Sequence, residues 1–374
     1  MQHSSLYQYK PYNYSYSYDF VFAGAGVAGL SLLVRMLQSG LFNGFSFLLV
    51  DRDRKASDNT HWCFWERGRG YFESLVAHRW QKTWIHGPGY SDCIPIAPYE
   101  YKMIRKNDFY RYCLDYIKTR DNVRLLFEPV RSIRQHNNRG VLHLENGERY
   151  EAAIKLFQSF QLQPTPADRR ILLRHSSGWV IETPSPQFDV SANTMMDLRM
   201  PQQDGVNFMC TMPLAENRVF IASNLISGKS PAEKADDERL SGYLRNNLCL
   251  SAYHVVDIEK RSTLMNSESR QSTDRNIVHI GGRHSFGLIQ EESDAVLRAF
   301  LSNEDIGKAC SHPHRFRFYD KMMNEALRHK HPSGAAHLTR IFRRNPVQRV
   351  FRFLDKQTTL TEDLQMMASL LGLS

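Results

Sequence analysis

Apolar positions change their spacing several times along this chain, and each change predicts an element. Asp19-Phe20-Val21-Phe22-Ala23 is a short continuous apolar run, the pattern of a strand buried on both faces. A glycine turn follows, then the start of an amphipathic helix. A second apolar strand, Phe45 to Val50, ends at Asp51. After a polar loop (52–59) comes an aromatic cluster, His61-Trp62-Cys63-Phe64-Trp65-Glu66, and a strand-rich region from about Arg79 to Glu100. Phe109, Tyr110, Cys113, Leu114 and Ile117 recur at helical spacing, with Asp108 placed to cap them. Short strands around 122–160 are joined by turns such as Asn146-Gly147. Alternating strands fill 170–226, among them Gly178–Thr183 and Asn217–Ala222. Ser230 to Asn247 is helical, with Leu240, Tyr243 and Leu244 on one face. A strand over Asn276–Ile280 ends at Gly281-Gly282, and a helix runs through Ser293, Val296, Leu297 and Phe300. The remainder is mostly helical and basic. Residues 1–18, where tyrosine alternates with polar residues, read as a low-complexity tail, with an extra edge strand as the alternative.

The glycines between the first strand and helix carry the most chemistry. In Gly24-Ala25-Gly26-Val27-Ala28-Gly29, Gly24 allows the tight turn, Gly26 lets a diphosphate approach the backbone, and Gly29 lets the helix pack on the strand. The helix start offers N–H groups and partial positive charge to phosphates. Asp51 stands about 20 residues on, where a ribose hydroxyl needs an acceptor. A dinucleotide site follows. Because this unit opens at the N-terminus and closes near Gly281, the nucleotide domain is expected to be discontinuous, with a sheet inserted into it.

Composition narrows the field. The 374 residues are 42% hydrophobic and 23% charged, ordinary for a folded protein. A net charge of +9 favours an anionic partner, and no nucleic-acid module is present, so nucleic acid is not expected. Six cysteines at irregular spacing, with no Cys-x-x-Cys pair and no secretory signal, suit free thiols in the cytoplasm. No run of apolar residues is long enough to span a bilayer. His312/His314 and His329/His331 are paired at spacing two without companions, so no metal site is expected.

The aromatic block Asp58-Asn59-Thr60-His61-Trp62-Cys63-Phe64-Trp65-Glu66 resembles that of the flavin-dependent lycopene cyclase family of carotenoid biosynthesis. The similarity continues through Tyr101–Arg105 with Asp108–Tyr110, Leu172–His175, Gly178–Thr183, Phe188-Asp189, Met196–Arg199, Phe342–Pro346 and Phe351–Asp355, from about residue 19 to 370. The resemblance implies an α/β protein: a Rossmann-like FAD-binding domain (19–80, 101–160 and 270–310), an inserted β-sheet substrate domain (81–100 and 161–269) and a basic helical C-terminal region (311–374). It implies reduced FAD, with NAD(P)H as reductant, and a linear carotenoid or related polyene whose ends are cyclised without net redox change. A carboxylic acid protonates the terminal double bond, the cation closes on the chain, and a base removes a proton.

Two departures stand out. Where the family has a glutamate in a Val-Glu-x-Thr strand, this chain has Ala222, and the loop after Gly282 is shorter. Glu259, Glu66 and Asp197 are therefore the candidate acids; the alternative for each is an ion pair, with Arg261, Arg69 and Arg199 respectively. Gly24, Gly26, Gly29, Asp51, Arg105, Gly281 and Gly282 are assigned to the cofactor, and Trp62, Phe64 and Trp65 to the substrate, with core packing as the alternative for the aromatics. Basic and apolar residues mixed over Arg340–Lys356 suit docking on the inner face of a membrane; the alternative is a helix packed on its own domain. Two other functions stay open: an FAD-dependent monooxygenase or reductase of the same fold, and a diverged relative without catalysis.

Overall fold

A computed structural model describes residues 15–55, 60–160, 172–202, 205–228, 233–264, 276–281, 285–309, 314–328 and 333–372. Along the chain run β1 (Ser15–Ala23), α1 (Val27–Gln38), β2 (Phe47–Asp51), β3 (His61–Arg67), β4 (Val76–Trp80), β5 (Lys82–Gly87), β6 (Tyr90–Pro95), β7 (Tyr99–Arg105) and α2 (Lys106–Lys118). Then come β8 (Val123–Phe127), β9 (Val130–His136), β10 (Arg139–Leu144), β11 (Arg149–Gln158), β12 (Leu173–Glu182), β13 (Ala192–Asp197), β14 (Val206–Ala215) and β15 (Arg218–Ser227). The chain continues through α3 (Glu233–Asn246), β16 (His254–Leu264), β17 (Ile277–His279), α4 (Phe286–Leu301), α5 (Ile306–Ala309), α6 (His314–Arg328), α7 (Ser333–Arg344), α8 (Val347–Leu354) and α9 (Leu360–Leu371).

Three sheets organise these elements. The first has the order β8-β2-β1-β11-β10-β9, with β17 joined to β11. Its β8, β2, β1, β11 and β17 pair in parallel. Alternation sends Phe20, Phe22, Phe47, Leu49 and Phe157 to one face, packed with residues of α1, α2 and α4. Val21, Ala23, Leu48, Val50 and Leu156 go to the other face. The second sheet, β16-β12-β15-β14-β13-β5-β6, is covered on one side by Leu240, Tyr243 and Leu244 of α3. Its other side, with Val180, Phe208, Cys210, Phe220 and Ala222, packs against β7 and the C-terminal helices. The small third sheet, β3-β7-β4, contributes to two cores.

Three local expectations change. The first strand begins at Ser15 rather than Asp19, because Ser15–Tyr18 pair with Arg149–Ala152 and Tyr16 stacks on Tyr150 with ring centroids 5.5 Å apart. Residues 1–14 lie outside the described residues. Asp108 does not cap α2: Arg105 holds the N-cap position without a side-chain cap, and Asp108 sits in the first turn, where its charge still favours the helix start. The apolar side of Arg340–Lys356 turns inward, since Phe342, Val347, Val350, Phe351 and Phe353 are all buried. No helix among the described residues is long and apolar enough to cross a membrane.

Candidate functional site

The end of β1 and the start of α1 form the elbow. Gly24 has φ +107°, a conformation L side chains rarely adopt, and its N–H donates to the Val50 carbonyl at 2.7 Å. A Cβ on Gly29 would lie 2.2 Å from the Gly24 carbonyl oxygen, so only glycine lets α1 come this close. A Cβ on Gly26 would meet nothing within 4 Å, so that side of the elbow is open. Gly26 starts α1 without a side-chain cap, and the first turn carries no acid. The leading N–H groups are thus left to a ligand or water. Gly281, at φ +74°, lies over this first turn: its Cβ would come 2.5 Å from that of Ala28. The two glycine segments, far apart in the chain, therefore meet. Gly282 lies outside the described residues.

Asp51 ends β2 beside the elbow. Its Oδ2 accepts the Ala25 N–H at 2.6 Å, and its Oδ1 accepts the Asp53 N–H at 2.8 Å and pairs with Lys55 Nζ at 3.3 Å. The carboxylate braces the turn. An open glycine, an uncapped helix start and an acid at the next strand end together fit the diphosphate and ribose of an adenine dinucleotide.

The three candidate acids have three different surroundings. Glu66 does not pair with Arg69. It accepts from Lys102 Nζ at 2.9 Å, in a cluster where the wholly buried Lys102 also donates to the Gly68 carbonyl at 2.5 Å and to Glu73 at 2.7 Å. Asp197 is wholly buried and takes a two-pronged contact from Arg199, at 2.9 and 2.6 Å, and the Tyr243 hydroxyl at 3.0 Å. Burial by itself would raise its pKa; the Arg199 hydrogen bonds and charge outweigh this and hold it below the usual carboxylate range. A carboxyl kept ionised is a poor proton donor. Glu259, on β16, is bonded through Oε1 to Nδ1 of His61 rather than to Arg261.

His61, the member of the pair that reaches it, lines a cleft of about 480 Å³ together with His78, Met103, Arg105, Asn107, Val180, Leu214, Ala215, Arg218 and Asp257. The cleft separates the His61–Arg105 end of the third sheet from β12, β14, β15 and β16 of the second. Arg105 stands directly across from His61 in the β3–β7 pairing. His61 was not among the residues expected to act. Its partner is 198 positions away, and no local pattern announces the pair.

The aromatic block does not line one tunnel. Strand alternation sends its members to opposite faces. Trp62 and Phe64 pack on Phe286, with centroids 5.3 and 4.7 Å away. Trp65 stacks on Phe351 at 4.6 Å and donates from Nε1 to Asp355 at 2.7 Å. None of the three lines the cleft. Ala222 is buried between Gly178 and Cys210 of the neighbouring strands. His312, His329 and His331 lie outside the described residues.

Comparison with protein families matches residues 19–287 to the lycopene cyclase protein family. Comparison with curated protein sequences gives no match. Among solved structures, the chain is similar to a geranylgeranyl bacteriochlorophyll reductase-like protein from Thermoplasma acidophilum, with a TM-score of 0.59 and 10% identity over 95% of this chain and 96% of that one. It is also similar to a flavoprotein/dehydrogenase from Cytophaga hutchinsonii, with a TM-score of 0.58 and 11% identity over 96% and 100% of the two chains. The halogenase PltM, solved with phloroglucinol and FAD, gives 0.57 and 12% identity over 95% and 91%. At these identities the likeness is one of fold: the Rossmann-type architecture of flavoproteins.

Proposed function

The chain belongs to the lycopene cyclase protein family, and on that footing we propose that it binds FAD at the Gly24–Gly26–Gly29 elbow and cyclises the end of a linear polyene of the carotenoid class without net redox change. The observation that carries this reading is His61 on the wall of the cleft with Glu259 bonded behind its Nδ1. His61, the member of the pair that reaches the cleft, is placed to pass a proton, with Glu259 as its partner. It delivers that proton to the terminal double bond; a new carbon–carbon bond closes the ring and moves the positive charge inward; loss of a ring proton to the pair restores it. Glu259 thereby takes the acid role that Ala222 lacks. The Phe220 ring, 5.3 Å from the His61 ring, offers a π-face to the passing cation. Bound FAD, kept reduced by NAD(P)H, would supply negative charge that favours a nearby cation.

Gly24, Gly26, Gly29 and Gly281 hold the cofactor's diphosphate, and Asp51 its ribose. The polyene substrate is drawn from the inner face of a membrane, where the protein sits peripherally. With the aromatics of α8 turned inward, the lipid contact falls to exposed Leu360, Leu364 and Leu371 on one face of α9.

Expression in a lycopene-accumulating bacterium tests this. Cyclised pigment is expected from the parent chain. Glu259→Gln should lower the yield by roughly 100-fold or more, the usual range for a lost general acid, with flavin content unchanged. Unchanged lycopene beside folded, flavin-loaded protein would overturn the reading. Consumption of NAD(P)H and oxygen in its place would assign a monooxygenase or reductase.

A further inference from the structure

We infer that His78, on β4, takes the proton that leaves the new ring, and that its place on the cleft wall fixes where the ring double bond forms. This deepens the reading above and rests on it for the polyene: the ring proton returns to the His61–Glu259 pair by way of His78 and solvent. His78 and His61 stand on one wall. In the third sheet β7 runs between β3 and β4. His61 is directly opposite Arg105 of β7, and His78 is directly opposite Met103, two residues back along the same strand. Residues opposite one another in an antiparallel ladder share a face, as do residues two apart on a strand. All four line the cleft. The two imidazoles therefore rise into it from the outer strands. Two strand spacings and two residues put their backbones about 12 Å apart, and side chains reaching inward from there bracket a six-membered ring. Val180 and Leu214 of the second sheet add apolar surface.

Ring closure uses two proton positions. The carbon that receives the proton and the carbon left cationic stand opposite each other across the six-membered ring. His61 serves the first; a second group is better placed to serve the second. His78 takes a proton from a carbon next to the cationic one. That carbon–hydrogen bond breaks, and its electron pair becomes the ring double bond and cancels the charge. The imidazolium then releases the proton to water, and water refills the pair, so one proton enters and one leaves. Three groups border the cationic carbon, a ring CH, a ring CH₂ and a methyl, and the position of the base selects among them. A base must also be neutral when the cation forms. Burial first, and then the charges of Arg105 on β7, His61 on β3 and Arg218 on β15, hold the His78 pKa below its ordinary value. Asp257 on β16 is the acid among the described lining residues. Weak basicity is sufficient here, because a carbocation is a far stronger acid than imidazolium. The side chains of Arg105 and Arg218 are 58% and 47% exposed, so water and salt screen their charge from the ring.

The test gives full-length, FAD-loaded protein, kept reduced with NADPH, lycopene in phosphatidylcholine vesicles made in D₂O. Mass spectrometry and NMR of the separated pigments locate the deuterium and the double bond. The parent should add one deuterium per ring and form one double-bond isomer. His78→Ala should run at least 10-fold slower, add deuterium at the same carbon, and give a mixture of ring isomers and water-captured alcohols. Added imidazole should restore the single isomer. His78→Gln should repeat the mixture with melting temperature and flavin content unchanged, whereas Glu259→Gln should slow the reaction without changing the isomer. A single, unchanged isomer from His78→Ala overturns the inference and leaves the cyclase reading standing, as does a slower reaction whose product is unaltered. Lycopene returned uncyclised by the flavin-loaded parent overturns the cyclase reading and the role of His78 with it.

Discussion

Removing the amine of Lys102 should unfold part of the protein's margin of stability and show that Glu66 belongs to the framework. Lys102 is wholly inaccessible, with Glu66, Glu73 and the Gly68 carbonyl within 2.9 Å and Glu100 at 4.0 Å. Lys102→Met leaves Glu66 without its cation and Glu73 with only the half-exposed Arg79, 3.0 Å away. Breaking a buried pair this way costs roughly 3–5 kcal/mol, and the lower end applies because Glu66 and Glu73 keep 18% and 13% of their side chains exposed. Unfolding entropy near 2.1 cal/mol/K per residue over 374 residues converts ~3 kcal/mol into a fall in Tm of about 4 °C. Glu66→Gln alone should cost roughly 1 kcal/mol, because Lys102 keeps Glu73. The double variant should fall short of the sum by at least about 1 kcal/mol, the mark of a direct contact. Circular dichroism melts of the four proteins measure this. A Lys102→Met melt within 1 °C of the parent, or strict additivity, would refute the cluster as described.

Gly26→Ala should leave Tm unchanged, since its Cβ meets nothing, yet lower flavin content after purification at least 10-fold; the absorbance ratio at 450 and 280 nm measures it. Gly29→Ala should lower both, because its Cβ runs into backbone. Acid melts should lose stability below about pH 4: Asp197 and Glu73 both have depressed folded pKa values, so their contribution is present above the unfolded range and disappears as pH falls through the folded values. At pH 8, iodoacetamide should label exposed Cys249 quickly and spare Cys210, whose thiol burial pushes up to about 11, as read by peptide mass mapping.

The elbow was legible because everything that makes it is local. A strand, three glycines, a helix and an acid at the next strand end all lie within Asp19–Asp51, and each spacing states its own geometry. The His61–Glu259 pair was half legible: Glu259 was one of three candidate acids, but β3 and β16 meet only through tertiary packing. Lys102 gave no sign of burial, since lysine ordinarily sits in water and its two glutamates come from β3 and the turn before β4. The aromatic block misled for a definable reason. Its adjacency in sequence suggests one surface, whereas an extended backbone divides neighbours between two, and the period of two would have separated Trp62 and Phe64 from Trp65. That Arg105 and Arg218 share the cleft was invisible in the sequence, because they come from different sheets.

β17 has a consequence for how the molecule is made. Ile277 docks beside Leu156, across the excursion that supplies β12 to β16 of the second sheet. A ribosome must therefore release most of the chain before the nucleotide half can be finished, and until then the flank of β11 stays unpaired, a ready template for stray strands. Gly281 arrives with that last strand, so the elbow gains its Gly281 neighbour only after β12 to β16 are out. Premature chain termination within the insert should yield insoluble fragments rather than a small nucleotide-binding module.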